Sequence, residues 1–222
     1  YMKIFLDTAD FEEIKAADKT GLIDGVTTNP SLIRKSGEKP FDVYRKIRDL
    51  GITDISMEVP SMDAAAMLED ALFHHEQFSD VITVKLPMTV DGLKACSELS
   101  QMDIRTNVTL IFNAAQALLA AKAGATYVSP FVGRIDDQGY AGLEVVRSIA
   151  SLYCQTGQST QVLAASIRTP HRAVRSFFNG ASIVTMPPGV FWQMYNHVLT
   201  DSGLDIFKKD QDAMFSNGIT ND

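Results

Sequence analysis

The sequence predicts an α/β fold, a single (β/α)8 TIM barrel followed by an extra C-terminal helix. Eight short apolar runs rich in β-branched residues alternate with segments of helical period. Eight such repeats in 222 residues lie near the lower size limit of about 200 residues for this fold. A doubly wound open sheet is the alternative, but the turn after the first strand reads DTAD, and the chain has neither GxGxxG nor a P-loop motif.

The predicted strands are short and are bounded by turn or helix-cap residues, which is typical of buried parallel strands. They cover residues 3–7, 25–28, 54–59, 81–86, 105–110, 126–130, 161–166 and 182–186. The predicted helices between them carry apolar residues at helical spacing, often after a capping residue. They cover residues 10–19, 63–78, 90–100, 114–123, 139–155 and 170–179.

Two further helices are predicted after the eighth strand. Residues 188–198 can supply the helix that closes the barrel, and residues 201–215 form an additional helix with Asp201 as its N-cap. The apolar stripe of this last helix consists of Leu204, Phe207, Met214 and Phe215. The stripe packs either on its own subunit or on a neighbouring one.

The composition is that of an ordinary globular protein, with 45% apolar and 21% charged residues. One domain over residues 2–222 is expected, and Tyr1 is interpreted as an addition before a native start at Met2. The net charge of −7 argues against a broad basic surface for nucleic acid or an anionic membrane. No apolar run reaches the ~18–20 residues of a membrane span. Cys96 and Cys154 have no CxxC neighbour, so reduced thiols and a cytoplasmic location are expected.

Active sites of such barrels lie at the carboxyl ends of the strands. Almost every predicted strand ends in a polar residue: Asp7, Thr28 with Asn29, Glu58, Lys85, Thr109, Ser129, Ser166 and Thr185. Lys85 is the clearest candidate because it lies within the apolar run VITVKLP. Burial favours the neutral form of an amine, which attacks carbonyl carbons. Alternatively, its ammonium group reaches solvent at the strand end.

Four other residues could assist this lysine. Asp7 and Glu58 could act as general acids or bases, or could form ion pairs or helix caps. Asn107 and Thr109 are two apart on one strand and therefore share a face. There they could orient water or substrate hydroxyls, or simply fill the strand.

A phosphate site is predicted after strands six and seven. Arg134, Ser166 and Arg168 could bind a phosphate at the usual position in such barrels. The alternative is two surface arginines. No metal site is predicted, because the histidines have no ligand spacing, and His74 and His75 are expected to be solvated on a helix.

Six segments extend over nearly the whole chain: FLDTAD, GVTTNPSLI, TVKLP, NVTLIF, YVSPFVGRID and LAASIRT. Together they resemble the class I transaldolase family, in its short single-barrel subgroup, which includes the fructose-6-phosphate aldolases. The resemblance implies transfer of a dihydroxyacetone unit between sugar phosphates through a Schiff base. No metal or organic cofactor is expected, because the lysine itself supplies the electron sink.

The resemblance also implies a role for each matched residue. Lys85 becomes the Schiff-base lysine and Asp7 the general acid/base, while Glu58 and Thr109 position a catalytic water. The residues expected to hold the hydroxyls of the donor sugar are Asn29, Asn107 and Ser129, and Thr27 and Phe131 are also expected to bind substrate. The residues expected to hold the phosphate are Arg134, Ser166 and Arg168.

Within the family that the chain resembles, two positions distinguish transaldolases from fructose-6-phosphate aldolases. Fructose-6-phosphate aldolases characteristically carry Gln and Tyr where this chain has Glu58 and Phe131. Glu58 can assist proton movement through a water, which Gln cannot do. The sequence therefore favours a transaldolase. The alternatives are a fructose-6-phosphate aldolase that releases free dihydroxyacetone and a non-catalytic sugar-phosphate-binding barrel; a metal-dependent aldolase is disfavoured by the missing histidine cluster.

The resemblance implies an assembly as well. Short transaldolases form five-membered rings, usually stacked in pairs, in which the C-terminal helix reaches the next subunit. A homodecamer of two pentameric rings is therefore predicted. The implied role is in carbohydrate metabolism, in the pentose phosphate pathway.

Overall fold

Eight parallel strands pair in chain order and close into a barrel, because β8 pairs with β1. The computed structural model describes residues 2–217, so Tyr1 and residues 218–222 of the predicted domain lie outside the described residues. The strands are β1 Lys3–Asp7, β2 Gly25–Thr27, β3 Ile55–Glu58, β4 Ile82–Pro87, β5 Thr106–Ile111, β6 Tyr127–Pro130, β7 Gln161–Ala164 and β8 Ile183–Met186. The predicted (β/α)8 barrel is confirmed, and the strand bounds differ from the prediction by at most two residues.

Helices surround the barrel, and each strand is followed by at least one of them. They are α1 Phe11–Asp18, α2 Pro30–Ser36, α3 Pro40–Asp49, α4 Ala64–Phe78, α5 Val90–Gln101, α6 Ala114–Lys122, α7 Val132–Asp137, α8 Gly142–Thr156, α9 Pro170–Phe178, α10 Pro188–Gln193 and α11 Val198–Ser216. The sequence analysis did not predict α2, α3 and α7. Both α2 and α3 begin with a proline at their first position, where its missing N–H and fixed φ suit a helix start.

The barrel interior is filled in layers. Successive strand residues point to opposite faces of the sheet, so Asp7 and Phe5 share the inner face of β1. Phe5 packs with Tyr127, Leu163 and Ile183 in a buried cluster separate from the larger core. The Phe5 and Tyr127 rings meet edge to face, with centroids 6.3 Å apart. This apolar layer supports the polar residues above it.

A buried polar cluster lies around Asp54, just before β3. Its carboxylate accepts hydrogen bonds from Thr83 Oγ1 at 2.8 Å and from Tyr127 Oη at 2.7 Å. Arg105 Nη1 lies 3.4 Å from the same carboxylate. Burial raises the pKa of Tyr127, and the Asp54 carboxylate raises it further. Because a hydrogen-bonded carboxylate is far less costly to bury than an unpaired one, this cluster is compatible with the surrounding core.

His74 is buried, so the prediction that it is solvated is wrong. Helix α4 turns Met67, Ala71, His74 and Phe78 to one face, which packs inward. The His74 ring nitrogen Nδ1 lies 2.7 Å from the Asp70 carbonyl oxygen, and its ring meets Phe41 edge to face at 4.9 Å. The hydrogen bond satisfies the polar side of a ring that is only 8% exposed.

The C-terminal helix α11 begins at Val198, earlier than predicted, and the preceding helix α10 already ends at Gln193. His197, rather than Asp201, is its N-cap, because its Nδ1 accepts a hydrogen bond from Leu199 N at 3.1 Å. No residue of α11 is buried, and Phe207 in its apolar stripe is 70% exposed. Within residues 2–217 the stripe therefore has no cover from its own chain. None of the described helices is both long and apolar enough to cross a membrane.

Candidate active site

A cavity of about 130 Å³ opens at the carboxyl end of the barrel. Every predicted site residue except Glu58 and Arg168 lines it. Those two lie beside it: Glu58 contacts Lys85, and Arg168 lines an adjoining cavity. Barrel closure thus brings together residues from all eight repeats, at the end of the strands where the sequence analysis expected them.

Lys85 projects into this cavity from β4. Its neighbours in the strand alternate, so Thr83 and Lys85 face inward while Val84 and Leu86 pack outward into the helical layer. The side chain is 8% exposed, so it does not extend into solvent. Its Nζ donates a hydrogen bond to the Thr28 carbonyl oxygen at 3.0 Å and lies 3.4 Å from Glu58 Oε2. The amine is therefore held in a fixed place beside one carboxylate.

Asp7 ends β1 in the same cavity and is held by a chain of hydroxyls. Thr27 Oγ1 donates to Asp7 Oδ1 at 2.8 Å and lies 2.6 Å from Thr185 Oγ1. Since Thr27 has one hydroxyl proton, Thr185 is the donor in the second contact. Burial raises the pKa of Asp7, while the Thr27 hydrogen bond and the Lys85 charge oppose the rise. A raised pKa makes the carboxylate a stronger base, which suits a group that accepts a proton and later returns it.

Strand β5 contributes an amide and a hydroxyl with different surroundings. Asn107 Oδ1 accepts from Ser129 Oγ at 2.7 Å, and its Nδ2 donates to Ser56 Oγ at 3.2 Å. Thr109 Oγ1 is buried without a protein hydrogen-bond partner among residues 2–217. Buried hydroxyls are normally paired, so this one has capacity for a substrate hydroxyl or a water. The strand is irregular just beyond it, where Leu110 has φ 63°.

Asn29, which is predicted to bind the donor sugar, also caps a helix. Its Oδ1 accepts a hydrogen bond from Leu32 N at 2.9 Å and so caps α2. Only its Nδ2 is left to donate toward the cavity that it lines. The sequence analysis missed this cap because it did not predict α2.

The predicted phosphate residues meet where β6 and β7 end. Arg134 lines both the inner cavity and an adjoining one of about 880 Å³, with its guanidinium carbon 5.0 Å from the Phe131 ring centroid. Ser166 adopts φ 55°, a costly conformation for a residue other than glycine. A Cβ at Gly133 would lie 2.4 Å from the Ser166 carbonyl oxygen and 2.9 Å from Arg168 Nε. Only glycine therefore lets α7 approach this closely.

Arg168 is not free in the structure. Its guanidinium binds the Asp137 carboxylate through both terminal nitrogens, with Nη2 and Oδ2 2.7 Å apart. Beside it, Arg172 Nε lies 3.3 Å from Asp136 Oδ2. The neighbouring residues Asp136 and Asp137 thus each pair with a different arginine, and the Arg168–Asp137 pair lines the larger cavity. The sequence analysis did not predict these pairs.

Glu58 lines a third cavity, of about 600 Å³. Tyr44 on α3 lines it too and is only 3% exposed. Burial raises the pKa of Tyr44, a hydrogen bond with Thr28 opposes this, and the Glu58 carboxylate adds to it. The helical spacing of Val43, Tyr44 and Ile47 is the signal that could have revealed this residue.

The chain is similar to known proteins along almost its whole length. The sequence model of the Transaldolase/Fructose-6-phosphate aldolase family matches residues 4–222. The chain belongs to this family. A probable transaldolase of Geobacter sulfurreducens is 48% identical, over 96% of this chain and 99% of the relative. One from Symbiobacterium thermophilum is 47% identical over 96% and 98%, and one from Geobacillus thermodenitrificans is 48% identical over 94% and 98%.

Membership in the transaldolase/fructose-6-phosphate aldolase family confirms the resemblance drawn from the sequence motifs. The relatives align along almost their whole lengths, so the residues around the cavity all fall within the matched part.

We predict that Asp7→Asn makes the folded protein more stable at pH 7. The pKa of Asp7 is raised on folding, so the folded state binds its proton more tightly than the unfolded state does. Ionised Asp7 therefore lowers the free energy of unfolding, and this loss grows as pH rises from the ordinary aspartate pKa of about 3.9 through the raised value. The stability gain of the variant should disappear in acid, as measured by urea unfolding between pH 4 and pH 8.

Asp10→Asn is the matched control for this experiment. Asp10 caps α1 by accepting a hydrogen bond from Glu13 N at 3.1 Å, and asparagine caps helices equally well. Its unfolding free energy should therefore stay within about 0.5 kcal/mol of the wild type. An Asp7→Asn protein that is less stable than the wild type at pH 7 would show that desolvation is not the dominant effect at Asp7.

Proposed function

We propose that the protein is a class I transaldolase, a transferase of aldehyde or ketone residues. It transfers a dihydroxyacetone unit from fructose 6-phosphate or sedoheptulose 7-phosphate to erythrose 4-phosphate or glyceraldehyde 3-phosphate. The observation that carries the proposal is the buried Lys85 amine, 3.4 Å from the Glu58 carboxylate in a cavity that Asp7 also lines. Family membership and relatives named probable transaldolase support it. Such a reaction belongs to carbohydrate metabolism, in the pentose phosphate pathway, and to the cytoplasm.

The first step forms a Schiff base on Lys85. The neutral amine attacks the C2 carbonyl carbon of the ketose phosphate, and the carbonyl electrons move onto oxygen. Glu58, 3.4 Å from Nζ, is placed to take one proton from the ammonium group and so free the amine before the attack. After the attack a second proton passes from nitrogen to the C2 oxygen, which becomes a hydroxyl group, and Glu58 gives its proton to that hydroxyl. The hydroxyl leaves as water, and an iminium ion remains. The unpaired hydroxyl of Thr109 can hold that water near the reacting carbon.

The second step breaks the bond between C3 and C4. Asp7 takes the proton of the C4 hydroxyl, C4 becomes an aldehyde, and the bonding electrons move toward the iminium nitrogen. The product is an aldose phosphate and a three-carbon enamine on Lys85. The raised pKa of Asp7 matches this task, because the group must bind the proton and later release it.

The donor hydroxyls have partners along the same wall. Asn107 and Ser129 already form one hydrogen-bonded pair, and the amide nitrogen of Asn29 has no partner within residues 2–217. These groups are held in place by their own hydrogen bonds before substrate enters, which lowers the cost of orienting it. The Arg134, Ser166 and Arg168 region then holds the phosphate at the far end of the sugar.

A new aldose phosphate completes the cycle. The enamine attacks its aldehyde carbon, Asp7 returns the proton to the new C4 hydroxyl, and water releases the product ketose from Lys85. Each proton that leaves one carbon chain is returned to the next, so no external acid, base or electron carrier is consumed.

Phe131 supports transfer over simple aldol cleavage. Its ring packs near Phe112, at a centroid distance of 5.9 Å, and against Arg134. It offers no hydroxyl with which to protonate the enamine or to hold a water beside it. The enamine is therefore expected to stay bound to Lys85 until an aldehyde acceptor enters, instead of being protonated and released as dihydroxyacetone.

We propose further that the protein assembles as a homodecamer of two five-membered rings. The support from this chain is the exposed apolar stripe of α11, in which Leu204 is 59% and Phe207 70% exposed. Such an uncovered stripe is unusual on a monomer. A neighbouring subunit is the cover that the family resemblance suggests.

We predict that borohydride in the presence of fructose 6-phosphate adds a reduced three-carbon group to Lys85. Peptide mass mapping locates the adduct, and Lys85→Met should remove both the adduct and turnover. Lys94→Met is the control, because Lys94 is 65% exposed on α5 and should leave both unchanged. An adduct on another lysine would exclude this mechanism, and binding of fructose 6-phosphate without any adduct would favour the non-catalytic barrel.

We predict that sedoheptulose 7-phosphate forms from fructose 6-phosphate and erythrose 4-phosphate much faster than free dihydroxyacetone forms from fructose 6-phosphate alone. Phe131→Tyr should increase the share of free dihydroxyacetone, because a phenol can hold a proton or a water at that position. Phe112→Tyr, on the adjacent ring, serves as the control and should not. If the wild type releases dihydroxyacetone faster than it transfers it, the fructose-6-phosphate aldolase alternative is correct.

We predict that Phe207→Asp reduces the mass of the assembly measured by light scattering from that of ten chains. A charge in the stripe would be buried without a partner at the subunit interface. Ala213→Asp introduces the same side chain on the opposite side of α11, where Ala213 is exposed, and should leave the assembly intact. A monomeric wild type, or an unchanged mass for Phe207→Asp, would refute the role of this stripe.

A further inference from the structure

Asp137 occupies most of the hydrogen-bond donors through which Arg168 could bind a phosphate. Both terminal nitrogens of the guanidinium bind the two oxygens of the Asp137 carboxylate. The remaining nitrogen, Nε, lies against the backbone at Gly133. The bidentate face of the guanidinium, which a phosphate also prefers, is therefore occupied by a carboxylate of the same chain.

The two aspartates at the end of α7 are held differently. Asp136 is anchored: its Oδ1 accepts a hydrogen bond from Gly142 N at 2.9 Å, and its Oδ2 lies 3.3 Å from Arg172 Nε. Asp137 has Arg168 as its side-chain partner and no other within residues 2–217. It is also the last residue of α7, where the helix dipole does not favour a negative charge. The position of the Asp137 carboxylate thus depends on Arg168.

We propose that Asp137 is a specificity-determining residue that competes with the substrate phosphate for Arg168. The proposal rests on the phosphate site of the proposed function. In the empty site the carboxylate neutralises the arginine; when a sugar phosphate arrives, the phosphate takes its place and Asp137 swings into solvent. When the aldose phosphate leaves, Asp137 restores the pair. The competition lowers the affinity for phosphorylated sugars and leaves that for unphosphorylated sugars unchanged.

Charge and space are consistent with such an exchange. The hydrogen bonds from Arg168 hold the pKa of Asp137 below its ordinary range, so the competitor stays ionised at neutral pH. A phosphate monoester carries about −1.5 to −2 charges there, against one for the carboxylate, and binds arginine in the same bidentate way. Asp137 and Arg168 are each about half exposed and line the cavity of about 880 Å³ with Arg134. The carboxylate therefore has room to leave without disturbing the core.

The test compares Asp137→Asn with the wild-type protein. The variant keeps the shape of the side chain but removes the competing charge. We expect the inhibition constant of inorganic phosphate and the KM for glyceraldehyde 3-phosphate to fall roughly two- to fivefold, the change that corresponds to losing one exposed ion pair. The KM for unphosphorylated glyceraldehyde, measured with saturating fructose 6-phosphate, should not change. Asp136→Asn is the control with the same charge change, and should have a smaller effect because its partner is Arg172.

The KM values of Arg168→Ala, measured for the same two acceptors, distinguish the other possible results. A higher KM for glyceraldehyde 3-phosphate in Asp137→Asn would show that Asp137 orients Arg168 for phosphate, and would overturn the proposal. The proposal would also be overturned if Asp137→Asn left the KM for glyceraldehyde 3-phosphate unchanged. If Arg168→Ala at the same time raised the KM for the phosphorylated acceptor only, the assignment of the phosphate site would still stand. Equal losses for both acceptors in Arg168→Ala would instead remove the phosphate site itself. Thermal melting checks that all the variants are folded.

Discussion

The parallel pairing of β1 with β8 is the interaction on which the rest of the structure depends. Its register runs from Lys3 opposite Ile183 to Leu6 opposite Met186. This pairing removes the two free sheet edges and brings the ends of the first and last strands together. Without it, Thr27 and Thr185 could not lie 2.6 Å apart, and Asp7 would not face Lys85 across one cavity.

Closure also creates an interior that must accept polar groups. The barrel handles them in layers: Asp54 with its donors at one end, the apolar cluster around Phe5 in the middle, and the candidate site at the other end. At the Asp54 end every buried side-chain nitrogen and oxygen has a hydrogen-bond partner within residues 2–217, which is the arrangement that costs least. At the site end, the Thr109 hydroxyl has no partner within the same residues, and burial raises the pKa of Asp7. The hydroxyl without a partner and the carboxyl group with a raised pKa therefore both lie in the cavity where a substrate would bind and could form hydrogen bonds with them.

The negative net charge of the chain makes the arginines at the rim of the candidate site important for binding an anion. A chain of net charge −7 repels anions at long range, so an anionic sugar depends on a few local cations. Arg134 lies over the Phe131 ring, while Arg168 is shared with Asp137. In the proposed exchange, the Asp137 carboxylate keeps Arg168 paired between substrates and weakens the binding of phosphate. The proposal thus makes phosphate affinity at this rim depend on two anions that compete for one guanidinium group.

The sequence by itself determined the strands, the inward face of each strand and the chemical character of their ends. These properties follow from local rules: β-branched apolar runs form strands, and alternation along a strand decides that Asn107 and Thr109 share a face with each other. The burial of His74 and the capping role of Asn29 have local signals that the sequence analysis did not use: the helical face that His74 shares with Met67, Ala71 and Phe78, and the three-residue spacing from Asn29 to Leu32. Only the tertiary structure decided that Tyr44 lies beside Glu58 and that Asp137 binds Arg168. These two contacts depend on how loops and helix starts orient elements that are distant in the chain, and no local period encodes that orientation.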